Sequence, residues 1–312
     1  MLNSIHLMLE SLGLSLQKRA LHIQFSNPSL QHQVFIQRIQ GQHFINQGLK
    51  AEVLCLSTSA HIQLKQFIGC QVAVDQVTDL GKLSRITGMI TGASQGQSDG
   101  ALTLYKLTVE DATALWHKRR NSRVFMNKSV IDITEVMFKE WQSKSPLFSA
   151  SLKLTTKELQ HNYDIRPFVM QANETDYDFL TRLWRSEGIN WLIDETAHVV
   201  AMNASEIQPQ KLRLIDDNST FEALDRRHIR FHRSSATERF DTITSFVAQH
   251  NIGSNAIQLQ RWQSDTLAQD QGDISLSAHL HSEQHDNETL SLEQAWTISP
   301  AWIGDLNGED QA

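Results

Sequence analysis

Apolar residues along this chain repeat with two different periods, and the changes of period divide it into regions. Leu2, Ile5, Leu9, Leu12 and Leu16 are spaced by three and four, which predicts one face of a helix that Gly13 weakens at its middle. From Leu21 the period is two: Leu21, Ile23 and Phe25 alternate with His22, Gln24 and Ser26. Similar alternation marks Val72–Val74 and Tyr105, Leu107 and Val109. The glycine- and serine-rich run from Gly92 to Gly100 reads as a turn-rich gap between strands. Several short strands joined by turns predict a barrel rather than a parallel sheet over the first hundred or so residues.

Helical spacing then returns. Val130, Ile133, Met137 and Trp141 share a face, and Ser129 with Asp132 has the spacing of a capping box. A stretch from Arg166 to Ile193 reads as strand, helix and strand. Thr175 is placed to cap a helix beginning near Asp176, Asp178 to return a bond to the cap, and Phe179, Leu180, Leu183 and Trp184 form its apolar stripe. Gly188 suits the left-handed stop, and Ile189, Trp191 and Ile193 form the buried side of the next strand. Strand alternation resumes at Ile229–Phe231, Ile243–Val247 and Ile257–Leu259. From Ser264 the composition turns polar and acidic, and the end from Leu306 to Ala312 is expected to be mobile.

The fold class expected is α+β and mainly β, with two antiparallel β-barrel-like domains and a mixed α/β region between or interleaved with them. The expected division is 1–112 for the first barrel, 113–225 for the mixed region with two capped helices, and 226–312 for a second barrel-like region and polar tail. With 312 residues there is length for two or three domains. The formal charge of −7 argues against a general nucleic-acid binder, whose affinity comes mainly from phosphate neutralisation by Lys and Arg. Cys55 and Cys70, both in apolar surroundings, read as buried free thiols, consistent with synthesis in a reducing cytoplasm. Met1 to Ala20 lacks the basic start and unbroken apolar run of a signal peptide, and no stretch is apolar enough to predict a membrane-spanning helix.

Candidate chemistry is sparse. Glu174, Asp176, Asp178 and Glu187 could supply a general acid and base, but Asp176 and Asp178 fall in a first helical turn, where the dipole favours negative charge for structural reasons. His279, His281 and His285 with Glu283 could bind zinc or nickel; in so polar a segment, solvated histidines are the plainer reading. There is no G-x-S-x-G, H-E-x-x-H, Walker loop or dinucleotide G-x-G-x-x-G. No catalytic residue, metal site or cofactor is therefore expected. Two basic clusters remain, Lys118-Arg119-Arg120 with Arg123, and Arg226 to Arg233. In the second, His228, Arg230 and His232 would face one way along a strand, with Ile229 and Phe231 facing the other.

The residues Gln171, Glu174, Thr175, Asp176, Phe179, Leu180, Arg182, Leu183, Glu187, Gly188 and Ile189 resemble the signature of VgrG proteins, the spikes of type VI secretion systems, and of the related contractile phage tail hubs. Ala172 stands where that signature usually has an aromatic residue. A second stretch, Arg120, Ser122, Arg123, Val124, Phe125, Lys128, Val130, Asp132 and Ile133, is similar to another segment of the same family. The resemblance implies a non-enzymatic homotrimer in which two related barrels per copy present a pseudo-sixfold face to a hexameric Hcp tube. It also implies contacts with baseplate proteins and effectors, no nucleic acid, synthesis in the cytoplasm and export through the secretion apparatus. Under it, Arg226 and Arg230 are candidate interface residues. A phage or pyocin tail hub is the alternative setting, and a cell-wall-degrading enzyme the alternative from another class. Family members usually continue into a further barrel and a β-needle that often holds the trimer together. Neither is evident before Ala312, so the chain is expected to be a fragment or a short member, with its oligomeric state in isolation left open.

Overall fold

The computed structural model of the chain describes residues 20–78, 81–201, 204–221, 223, 228–232, 242–249, 256–263, 268–275 and 294–298. The strands are β1 (Leu21–Phe25), β2 (Val34–Phe44), β3 (Gly48–Ser57), β4 (Gln71–Val77), β5 (Leu83–Ser98) and β6 (Thr103–Glu110), followed by β7 (Arg120–Lys128). Helices α1 (Val130–Lys144) and α2 (Pro146–Ser151) precede β8 (Leu152–Glu158) and β9 (Arg166–Thr175). After these come helix α3 (Asp176–Ser186), β10 (Asn190–Asp194), β11 (Val199–Val200) and β12 (Gln210–Ile215). The last three strands described are β13 (Ala256–Gln263), β14 (Ala268–Ser275) and β15 (Gln294–Ile298).

Strands β1 to β6 form a curled antiparallel sheet in the order β1-β4-β5-β6-β3-β2, with β11 added along β5. Its inner face follows from the alternation: Ile23, Val53, Cys55, Val72, Val74, Tyr105, Leu107 and Val109 are all buried in one core. Phe67 closes it beside Tyr105, with ring centroids 5.6 Å apart. Cys55 and Cys70 are free and buried, and burial pushes the Cys55 thiol up to about 12.

The glycine-rich run is where the structure departs most from the expectation. There is no gap: β5 continues through it to Ser98, and the turn comes after, where the Asp99 carboxylate accepts the N–H groups of Ala101 and Leu102. Glycine serves close approach here, because a Cβ on Gly92 would lie 3.1 Å from Thr108 Oγ1 and one on Gly96 3.1 Å from Leu104 Cδ2. The register with β6 shifts at both places, so these glycines mark bulges in one long strand.

A second core holds the helices. Trp116, Ile133, Met137, Phe148, Phe179, Leu180, Leu183, Trp184 and Trp191 are buried together. Trp184 sits centrally, its ring 6.2 Å from Trp116 and 6.0 Å from Trp191, with its indole N–H donated to Thr134 Oγ1 at 2.9 Å. Helix α1 starts with the full capping box between Ser129 and Asp132. At α3, Thr175 Oγ1 accepts from Asp178 N, and the Asp178 carboxylate returns a bond to the cap by accepting the Thr175 hydroxyl at 2.6 Å. Gly188 takes the left-handed conformation at φ 69° and ends the segment. Strand β12 lies between β10, antiparallel, and β8, parallel.

The two cores are joined by directional polar contacts. Asn46, at φ 65°, donates its backbone N–H to Trp191 O and accepts Trp191 N on Oδ1. Gln71 bonds Ser151, and Glu195 accepts from both Thr87 and Gln210. Buried Asp111 accepts Leu49 N at 2.7 Å and Thr113 N at 2.8 Å, tying β3 to the turn that leads into β7.

Five further sequence expectations meet a different outcome or none. Ile229–Phe231 and Ile243–Val247 are not strands: among the described residues they share an isolated bridge, Phe231 to Ile243. Strand β13 includes Ile257–Leu259 and pairs with β14 and β15. The expected first helix, the His279–His285 cluster and the tail from Leu306 lie outside the described residues.

Gly48, at φ 76°, would place a Cβ 2.2 Å from Asp111 Oδ2. Gly48→Ala must therefore strain the backbone and displace a buried carboxylate; we expect it to lower unfolding stability by about 2–4 kcal/mol, measured as a shift of the urea midpoint at unchanged slope.

Candidate functional site

Among the described residues, a dense arrangement of charge lies where β7, β9, α1 and α3 meet. Asp176, the first residue of α3, is fully buried, and its carboxylate is the hub. Arg119 Nε donates to Oδ2, as does the indole of Trp141 at 2.8 Å. Gln171 donates to Oδ1 at 2.9 Å, and Arg123 Nη2 stands 3.5 Å away. Both arginines also bind Glu140 on α1, Arg119 at 2.9 Å and Arg123 at 2.6 Å, and Lys144 reaches the same carboxylate one turn later at 2.6 Å. Arg119 lies 4.5 Å over the Trp141 ring, adding a cation–π contact.

Each element contributes for a local reason. The β7–β9 pairing places Arg123 opposite Gln171, so the strand register itself delivers donor and acceptor to one point. The start of α3 brings Asp176 there, and Asp176 N donates to Arg119 O. Helix α1 supplies Glu140 and Trp141 from its last turn. Burial works against the charge on Glu140, but hydrogen bonds from Lys144 and Arg123 and the positive charges of Arg123 and Arg119 bring its carboxyl down to about 2.

Around this centre the other motif residues form a scaffold. Arg182 forks onto Glu174, with Nη2 at 2.6 Å and Nε at 3.2 Å, and sits 5.4 Å over the Phe179 ring. Arg166 binds Glu187 and Ser186, fastening the start of β9 to the end of α3. Phe125 stacks on Phe179 at 5.7 Å, and Leu180 and Leu183 are buried beside them. Asp132 and Thr175 are cap residues and Gly188 the helix stop.

The structure thus brings Arg123, Gln171 and Asp176 into one cluster and sets Glu174 and Glu187 in separate ion pairs. It brings no two carboxylates together as an acid–base pair among these residues. Glu140 escapes the sequence reading, while Arg119 reads there only as part of a basic cluster and not as a partner of Asp176. Trp141 reads as part of the apolar stripe, although its ring is only partly buried and its N–H reaches Asp176. For Glu140 the available signal is its i,i+4 spacing to Lys144. Arg226 lies outside the described residues; Arg230 is exposed, and the residues from His228 to Phe231 are all exposed, so no buried side alternates with it.

A cleft of about 320 Å³ beside β5 is also built from satisfied groups. Arg85, buried, holds Asp75 through Nε and Nη2 and donates to the carbonyls of Ala204 and Glu206, while Glu195 accepts from Thr87. Among the described residues no group of three or more His, Cys, Asp or Glu side chains is placed to hold a metal ion.

The structure is a curled antiparallel sheet tied to a helical body that a network of ion pairs and hydrogen bonds holds together. The chain belongs to the phage tail baseplate hub (GPD) family, whose model matches residues 44–295. It is similar to the type VI secretion system spike protein VgrG1b of Pseudomonas aeruginosa, with 22% identity over 170 residues that make up 54% of this chain and 22% of that protein. It is also similar to the actin cross-linking toxin VgrG1 of Vibrio cholerae, 26% identical over 142 residues, 46% of this chain and 12% of the toxin. The chain therefore spans a quarter or less of the length of these relatives. Among solved structures, the E. coli c3393 protein, a type VI secretion component similar to the T4 tail proteins gp27 and gp5, shares the fold with a TM-score of 0.53 at 21% identity. That likeness covers 66% of this chain and 51% of the other.

Two outcomes test the charge cluster. Asp176→Asn removes the anion that two arginines share and presents an amide to the donors of Gln171 and Trp141; we expect a loss of about 3–5 kcal/mol in urea unfolding. Glu140, depressed to about 2 in the folded chain from an ordinary 4.5, contributes stability that is complete above the unfolded value and is lost as pH falls through the folded one. Glu140→Gln should therefore unfold with a flatter pH dependence between about 5 and 2, read by circular dichroism.

Proposed function

We propose that this chain is the hub region of a type VI secretion spike. Three copies form a homotrimer that seats on the hexameric Hcp tube ring, contacts baseplate proteins and helps carry effectors. The chain is made in the cytoplasm and leaves through the apparatus. The observation that carries this reading is the family match across residues 44–295, which include the Asp176 cluster, joined to the similarity to VgrG spikes over 170 residues.

Mechanism here means symmetry matching. The first unit, 1–112, and a related unit in 226–312, separated by the mixed region 113–225, would give three copies six roughly equivalent surfaces for a sixfold ring. A hub must keep its shape under load, and the motif residues Arg123, Gln171, Glu174, Asp176, Arg182 and Glu187 serve that need by locking β9 and α3 to β7 and α1. This is positioning rather than reactivity: a general acid or base needs a proton affinity near the working pH, and Glu140 is held far below it. The description of the matched family fits a contractile phage or pyocin tail hub equally, and the identity of the tube partner separates the two settings.

Binding of the purified chain to Hcp rings, compared with a phage tail-tube protein, tests the proposal. Preference for Hcp, weakened about tenfold and made less salt-sensitive by Arg226→Ala with Arg230→Ala, is the expected result. Absence of ring binding at low salt, or turnover of cell-wall material by the chain, would reject it.

A further inference from the structure

The three-stranded sheet β10-β12-β8 has two edges, and they are finished differently. At β10 the edge is occupied: Asn46 donates its backbone N–H to Trp191 O and accepts Trp191 N on Oδ1. At β8 it is open. Beyond the pairing with β12, the main chain from Lys153 to Lys157 receives one bond among the described residues, from Leu159 N to Thr156 O in the turn that follows. Open N–H and C=O groups along a strand are satisfied by another extended strand, and a helix or a small molecule cannot match their spacing. Beside this edge runs a groove of about 460 Å³. Glu135, Phe138, Lys139 and Gln142, spaced by three and four along one face of α1, form its far wall, and Leu154 and Thr156 of β8 its near wall. Phe138 is buried and Leu154 partly buried, so the floor is apolar. A strand laid along β8 would therefore gain main-chain bonds and apolar cover together. The register of β8 with β12 shifts between Thr155 and Glu158, so the seat takes a short strand.

Charge selects among strands. Lys153 and Lys157 are exposed, and neither has an ion pair among the described residues. The acids nearby are already engaged, Glu135 by Lys139 at 3.2 Å and Glu158 by Arg213. Lysine on an edge discourages pairing with strands in general. A strand that brings carboxylates turns the same charges into attraction, and its register is then fixed by where they fall. A second copy offering its own β8 edge would set lysine against lysine, which disfavours self-pairing.

We infer that the β8 edge and the groove beneath α1 form a docking site for a short extended segment of a partner protein, apolar on one face and acidic on the other, which joins the sheet as a further strand. Main-chain bonds along β8 hold the segment, Phe138 and Leu154 receive its apolar side chains, and Lys153 and Lys157 meet its carboxylates. The inference stands on this edge and its groove, and it does not depend on the secretion reading.

Fluorescence anisotropy of dye-labelled, end-blocked peptides titrated with the full chain tests this. A peptide with the core Glu-Val-Thr-Val-Glu should bind at least about tenfold tighter than its counterpart Lys-Val-Thr-Val-Lys. Lys153→Glu with Lys157→Glu, two exposed changes that should keep the urea midpoint of wild type, should reverse that order. Two further versions of the acidic peptide, N-methylated on alternate residues, keep the charge and block opposite edges of the strand. One should bind like the parent and the other at least about tenfold more weakly. No binding of the acidic peptide up to about 1 mM, as expected if a segment of the same chain already lies on β8, overturns the inference. So does a preference that the charge reversal leaves unchanged. Equal binding of both N-methylated peptides overturns it too, because attraction to lysine would then act without strand addition. Self-association of the chain that the β8 variant abolishes would assign the edge to a second copy and equally reject a foreign segment.

Discussion

The burial of one carboxylate, Asp176, governs the architecture of the helical half of this protein. A charge taken out of water is costly unless it is paired and its lone pairs are filled. Here four side chains from three other elements do this: Arg119 and Arg123 beside and within β7, Trp141 on α1 and Gln171 on β9. Because these donors come from different elements, the network constrains the relative placement of β7, β9, α1 and α3 by direction as well as by packing. Apolar contacts can slide; an Arg fork opposite a carboxylate cannot. The aromatic core of Trp116, Trp184 and Trp191 supplies adhesion beneath it, and the ion pairs Arg182–Glu174 and Arg166–Glu187 extend the same constraint along β9 and α3.

That division of labour explains what was legible in the sequence. Periodicity reports burial on one element, so β1, β4, β6, α1 and α3 could be read from alternation and helical spacing, and Thr175, Ser129 and Gly188 from their local backbone needs. The pairing of elements is not written locally. Asp176 looks like an ordinary first-turn acid, because the helix dipole suffices to explain it until the strand register is known to bring Arg123 and Gln171 to its side. Glu140 and Trp141, about 35 residues earlier, carry no mark that they end at the same point. Likewise Gly92 and Gly96 suggest a turn by composition, whereas their role depends on Thr108 and Leu104 across the sheet. Parallel pairing of β12 with β8 and the recruitment of β11 to β5 are long-range choices of the same kind.

Joining two cores by hydrogen bonds has a mechanical consequence. The sheet and the helical body could have shared one apolar interface, which would tolerate small rotations. Instead Asn46 holds Trp191 through two bonds, Asp111 holds Leu49 while capping the next turn, and Glu195 gathers Thr87 and Gln210. Bonds of this type lose most of their energy with a modest change of angle, so the contact resists reorientation. A joint of this kind keeps the surfaces of the sheet and of the helical body in one fixed relation.

The exposed strip of β7 and β9 is subject to the same constraint. The inner face of that ribbon is held rigidly by Arg123, Phe125, Val169 and Gln171, so the outer residues Val124, Met126, Phe168 and Met170 are presented on a backbone that has little freedom left. A preorganised apolar surface loses little conformational entropy when it is covered, which is the main cost of forming an interface. Were the strip merely tolerated, the cheaper arrangement would be polar residues on the solvent side of the ribbon, as alternation permits at no cost to the core. The charge lattice behind the ribbon and the apolar strip in front of it are therefore two parts of one arrangement: buried ions set the position of an exposed apolar surface.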